Sequence, residues 1–215
     1  MHYQVMINGV SRSFPGAHRL LAEATTDGDV VVLLGARAGK LLPSLARRDE
    51  RRAILVELGT ECLGVHTGEH RGAEGSNVIG FARFRLGDAE PSDLVELVVQ
   101  PNAAPAALAG AQALFEGAGL HTALCHDAPG RILDRLLRPF FNATLRRLDE
   151  GLATADDMDL TLKLGLGYPE GTIALLERTG LAPHAEISQT LHEALGDPGF
   201  LPARRAQVAK ARAHR

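Results

Sequence analysis

The run His66-Thr67-Gly68-Glu69-His70 places two imidazoles and a carboxylate close together. On a helix this spacing aligns both histidines for zinc and leaves the glutamate to activate a bound water. The helix is the condition, and Gly64, Gly68, Gly72 and Gly75 argue for a loop instead. The expectation is a solvated polar loop and no metal site. His18, His121, His126, His184 and His192 have no second ligand at a convincing spacing, so each reads as a surface histidine or an internally satisfied one. Cys62 and Cys125 fit reduced thiols better than a disulfide. The other chemistry to look for is phosphate binding. A Gly-x-Gly-x-x-Gly turn after a first strand lets a pyrophosphate reach backbone N–H groups without β-carbons in the way. The stretch here is Gly9-Val10-Ser11-Arg12-Ser13-Phe14, which keeps only the first glycine and sets a phenyl ring where a helix should lie closest to its sheet. No residue is assigned to cofactor binding, and the cofactor stays unassigned.

The elements that would position such groups follow from periodicity. Short apolar runs at Tyr3 to Asn8, Asp29 to Leu34, Ala53 to Leu58, Val78 to Phe84, Val95 to Val99 and His121 to Cys125 read as strands. Helices are expected at Pro15 to Ala24, around Lys40 to Arg48, and at Pro105 to Ala118, where small residues allow close packing. Strands alternating with helices imply a parallel, doubly wound sheet. From Pro129 onward the pattern is helical alone. Ile132, Leu133, Leu136, Leu137, Phe140, Phe141, Leu145 and Leu148 recur at three- and four-residue steps and give one broad apolar face over about five turns. Gly151 ends that helix, Thr154 with Asp157 caps the next, and Gly180 and Gly196 stand at the ends of two more. The domains are therefore placed at 1–127, α/β, and 128–215, all-α.

Composition narrows the function classes. The 215 residues are 45% hydrophobic and carry a formal charge of -3, enough for a substantial core but no general attraction to nucleic acid. No apolar run is long enough to span a bilayer, and Met1 to Gly9 reads as a strand rather than a secretory leader, so cytoplasm is the expected location. Arg204, Arg205, Lys210, Arg212 and Arg215 make the tail basic, yet no aromatic residue accompanies them, and a solvated helix face is the better reading.

Two motifs carry a resemblance. Pro129-Gly130-Arg131-Ile132-Leu133-Asp134-Arg135 and Lys163-Leu164-Gly165-Leu166-Gly167-Tyr168-Pro169-Glu170-Gly171 resemble the Pro-Gly-Phe-x-x-Asn-Arg and Gly-x-Gly-Tyr-Pro-x-Gly segments in the helical domain of the 3-hydroxyacyl-CoA dehydrogenase family. The resemblance implies a reduced Rossmann-like sheet, short by about one strand-helix unit, followed by a helical dimerisation domain. It also implies a homodimer through 129–215 and an acyl-CoA-like ligand. Val78-Ile79-Gly80-Phe81-Ala82-Arg83-Phe84 is similar to Val-Ile-Gly-x-His-Phe-Phe, whose histidine takes the hydroxyl proton of the substrate; that position is Ala82. The glutamate that orients the histidine corresponds to Glu96, with Gly87-Asp88-Ala89-Glu90-Pro91 as an apparent insertion between them. Alone, Glu96 reads better as a capped or solvated acid at a strand end. Ser-Asn-Thr-Ser becomes Glu57-Leu58-Gly59-Thr60, leaving Thr60 as the hydroxyl nearest the old substrate oxygen, and the motif asparagine becomes Asp134. An ionised aspartate only accepts hydrogen bonds, so it presents no amide N–H to a substrate carbonyl. Glu96, Thr60 and Asp134 are the candidate site residues. The leading expectation is a binding or structural homodimer without the family's NAD-dependent hydride transfer. The alternative is an oxidoreductase on a 3-hydroxyacyl-CoA or another hydroxy acid, its site rebuilt from Thr60, Glu96 or a histidine of residues 66–70.

Overall fold

The computed structural model describes residues 1–69 and 76–215. Two compact units emerge: Met1–Arg85 with Pro91–Ile132, and Leu86–Glu90 with Leu133–Arg215.

The first unit is built on six strands, β1 (Tyr3–Ile7), β2 (Val30–Leu34), β3 (Ala53–Glu57), β4 (Val78–Arg83), β5 (Leu94–Val99) and β6 (His121–His126), in the order β1-β2-β3-β4-β5-β6. The first four are parallel, β5 runs antiparallel to β4, and β6 is parallel to β5. It is a mostly parallel, Rossmann-like sheet. Side chains of β2 and β3 are buried throughout, because alternate residues enter two separate cores. Val30, Val32, Leu34 and Leu55 pack with Phe14, Leu20 and the helix α3 (Pro105–Gly117) on one face. Val31, Leu33, Ile54 and Val56 pack with Leu42 and Leu63 on the other.

The spatial order follows the chain order, so the winding never reverses. A doubly wound sheet has its ligand crevice where the winding does reverse, and this sheet has β1 at its edge instead of at its centre. The expected doubly wound arrangement is corrected accordingly.

Two expected helices are also corrected. From Pro15 to Ala24 only α1 (Arg19–Ala22) is helical, started by His18, whose Nδ1 accepts the Leu20 N–H. The preceding residues are diverted by Phe14, which enters the core against Phe81, and by Ser11 and Ser13, which bond elsewhere in the unit. Around Lys40 the chain forms 3-10 turns at Ala38–Ser44 and Arg48–Glu50. Pro43 lacks the N–H that an α-helix would use.

The second unit holds α4 (Leu133–Asp149), α5 (Ala155–Leu166), α6 (Thr172–Thr179), α7 (Leu181–Leu195) and α8 (Arg204–Ala213). The Thr154 hydroxyl accepts the Asp157 N–H at 3.1 Å, and Gly180 and Gly196 close α6 and α7 as their positions in the sequence imply. Phe141, Leu145, Leu176, Ala185 and Ala206 form the core, with Leu86 packed against it. Residues 86–90 thus belong to the helical unit although they lie in the chain between β4 and β5. Gly87 has φ +52, and a β-carbon there would come within 1.8 Å of the Thr179 carbonyl oxygen. The apparent insertion is therefore a structural part of the helical unit.

Candidate functional site

In the sheet unit the register sets Ala82 directly opposite Glu96 on adjacent antiparallel strands. Cross-strand partners of this kind have β-carbons about 4.5–5.5 Å apart. The methyl of Ala82 offers the carboxylate no hydrogen bond. Glu96 finds its partners elsewhere: Oε1 accepts the Ile132 N–H at 2.8 Å, and Oε2 lies 3.5 Å from Arg131 Nε. At 3.5 Å the latter is a charge contact rather than a directed bond. Glu96 is only 2% exposed and sits inside β5, so the expectation of a capped or solvated strand-end acid is corrected.

Arg131 is the residue that sequence reasoning missed. Its φ of 51° is left-handed, an uncommon conformation for a side chain of this size, and the turn delivers the guanidinium to Glu96. The Arg131 side chain is buried, and its Nε and Nη1 hydrogen-bond to none of the described residues. No local pattern announces this contact, which spans 35 positions and depends on one backbone angle.

Thr60 is half-buried in the connection after β3, and its carbonyl accepts the Gly130 N–H at 3.0 Å. The segment Gly130 to Ile132 thereby ties Thr60 and Glu96 to the same short turn. Asp134 belongs to the helical unit and is engaged there: Arg138 Nε donates to its Oδ1 at 2.8 Å, one helical turn away. Arg138 is 1% exposed and also donates through Nη1 to His184 Nδ1 at 3.0 Å. Arginine has no acceptor, so Nδ1 must accept, and Nε2 carries the proton donated to Asn142 Oδ1 at 2.8 Å. Burial, reinforced by the Arg138 charge, pushes the His184 pKa down to about 3.

The turn after β1 is organised around Glu57. The Ser11 hydroxyl (2.9 Å) and the Ser13 N–H (2.7 Å) donate to Oε1, and the Gly35 N–H donates to Oε2 at 2.6 Å. Ser11 is oriented by the Phe14 N–H, which donates to its oxygen at 2.9 Å. Gly35 has φ +100, and a β-carbon there would lie 2.5 Å from the Asn8 carbonyl oxygen, so only glycine lets these two turns meet. Arg83 holds the turn from the other side, donating to the Ser13 carbonyl at 2.9 Å with its guanidinium carbon 5.1 Å from the centre of the Phe14 ring. These residues do not fit a dinucleotide. The backbone donors already have an acceptor, and Phe14 is packed into the core.

His66 lies in α2 (Gly64–Thr67), a single turn ended by Gly68, and its Nε2 is 3.3 Å from Glu61 Oε1. His70 falls outside the described residues. Among the described residues no group of three potential metal ligands comes together.

Residues 130–214 match the family model of the 3-hydroxyacyl-CoA dehydrogenase C-terminal domain. The helical part of the chain is thus similar to the C-terminal domain of the 3-hydroxyacyl-CoA dehydrogenases. It is 36% identical over 100 residues to the mitochondrial hydroxyacyl-coenzyme A dehydrogenase of Sus scrofa, covering 46% of this chain but 32% of that protein. To a probable 3-hydroxybutyryl-CoA dehydrogenase of Deinococcus radiodurans it is 34% identical over 79 residues, 37% of this chain and 28% of the relative. The chain thus matches about a third of the length of these relatives. Its fold is similar to that of the (S)-3-hydroxybutyryl-CoA dehydrogenase of Ralstonia eutropha, with a TM-score of 0.72 at 22% identity over 90% of this chain and 71% of that one. The chain therefore shares the arrangement of a Rossmann-like sheet followed by helices with that structure at low sequence identity.

Proposed function

We propose that this chain does not transfer hydride and serves as a binding or structural homodimer through residues 129–215. The cross-strand pair of Ala82 and Glu96 carries the reading. At the position where the family resemblance expects a histidine, the methyl group can neither accept nor return a proton, and general-base catalysis contributes roughly 10²- to 10⁴-fold in rate. The carboxylate that would orient an imidazole is committed to Arg131 and the Ile132 N–H. The filled turn after β1 and the edge position of that strand both argue against a seat for NAD. Dimerisation is supported by α5, which buries none of its residues while Leu160, Leu164 and Leu166 are 51%, 79% and 66% exposed.

The test is NADH production from 3-hydroxybutyryl-CoA by the wild type and by Ala82→His, with NAD titration by calorimetry. Neither protein should turn over or bind NAD at micromolar concentration. Robust wild-type turnover would overturn the reading, and activity confined to Ala82→His would show that NAD binds after all. A second reading, an oxidoreductase with a rebuilt site, draws on the buried guanidinium of Arg131, whose Nε and Nη1 hydrogen-bond to none of the described residues. Thermal stabilisation of the wild type by NAD, NADP or an acyl-CoA ester, lost in Arg131→Met, would favour it.

A further inference from the structure

The geometry points to a small oxyanion-binding site, formed by Ser11, Ser13 and Gly35, that the chain fills with its own Glu57 carboxylate. Three donors converge on that carboxylate within 2.9 Å, and all three give a hydrogen while the carboxyl only accepts. Glu57 is 5% exposed, and among the described residues no basic side chain pairs with it. Among the described residues its hydrogen-bond donors are backbone N–H groups and one hydroxyl, which is how backbone nests hold free anions. Ser11 and Ser13 belong to the turn that follows β1, Gly35 to the turn that follows β2, and Glu57 ends β3, so three neighbouring parallel strands deliver the donors and the acceptor to one end of the sheet. Lacking its occupant, the nest has three donors aimed at a space the size of a carboxylate, suited to formate, acetate or one face of a phosphate. While the side chain is in place, external oxyanions are excluded, a pyrophosphate included.

This inference deepens the proposed lack of NAD binding and rests on the same turn, but its test does not depend on turnover. Glu57→Ala should melt below the wild type, and formate, acetate and phosphate should each be titrated against chloride at matched ionic strength. We expect a saturable rise of about 3–6 °C at ten times the dissociation constant in the variant, with none in the wild type or in Glu57→Gln, whose amide still fills the space. No oxyanion-specific rise in Glu57→Ala, or an equal rise in the wild type, would overturn the inference. If Glu57→Ala does not accumulate folded, refolding yield in formate against chloride gives the same reading, and equal yields overturn it. Pyrophosphate binding to the wild type would also overturn it, whereas hydride transfer by the wild type would overturn the proposed function.

Discussion

At the scale of single residues, charge compensation dominates. Arg131 and Glu96 form a buried pair, and removing one partner of such a pair typically costs about 3–5 kcal/mol because the other charge is left uncompensated. Arg131→Met should therefore lower unfolding stability by about 3 kcal/mol in urea titrations, and Arg131→Met with Glu96→Gln should cost less than the sum of the two single changes. Equal and additive losses would mean that the two groups do not interact. His184 gives the second prediction. Its folded pKa lies near 3 against 6.5 for the free side chain, so between those values the unfolded chain binds more protons. Stability is therefore full above pH 6.5 and falls as the pH drops. At pH 4.5 this group should cost on the order of 2–3 kcal/mol. His184→Gln, which does not titrate, should unfold with a shallower pH dependence over the same range. Neither arrangement was legible in the sequence. Glu96 could be singled out, but its partner depends on a left-handed arginine, and Asp134 is bound to an arginine that local pattern does not separate from solvent-facing ones.

At the scale of elements the sequence was more informative, for reasons that differ between elements. Val30–Leu34 and Ala53–Glu57 are legible because strands buried on both faces leave uninterrupted apolar runs. Thr154 and Asp157 are legible because a cap is a local hydrogen bond. The expected helix from Pro15 failed because Phe14 and the acceptor on Glu57 impose a tertiary constraint that outweighs helix propensity over those residues. The α5 helix makes its own prediction. Leu164→Glu changes a side chain that is 79% exposed, so it should leave the stability of the isolated subunit within about 0.5 kcal/mol. Light scattering at micromolar concentration should give about twice the 22.9 kDa chain mass for the wild type and a value near the chain mass for the variant. A dimeric Leu164→Glu variant would move the interface off this helix, and a monomeric wild type would remove it.

At the scale of the whole molecule, no helix among the described residues is long and apolar enough to cross a membrane. Gly87 links the remaining prediction to the topology. Gly87→Ala places a β-carbon against the Thr179 carbonyl at a backbone angle that disfavours any side chain, and should lower the melting temperature of the helical unit by several degrees. An unchanged transition would show that the contact with Thr179 is dispensable. Because residues 86–90 complete the helical unit, that unit is not one continuous stretch of chain. During synthesis Leu86 and Gly87 leave the ribosome long before Thr179 exists, so the helical core cannot close until the strands that follow have been made. The helical unit can therefore close only after the strands of the sheet unit have been made, and a peptide beginning at Leu133 would emerge without a piece of its own interior.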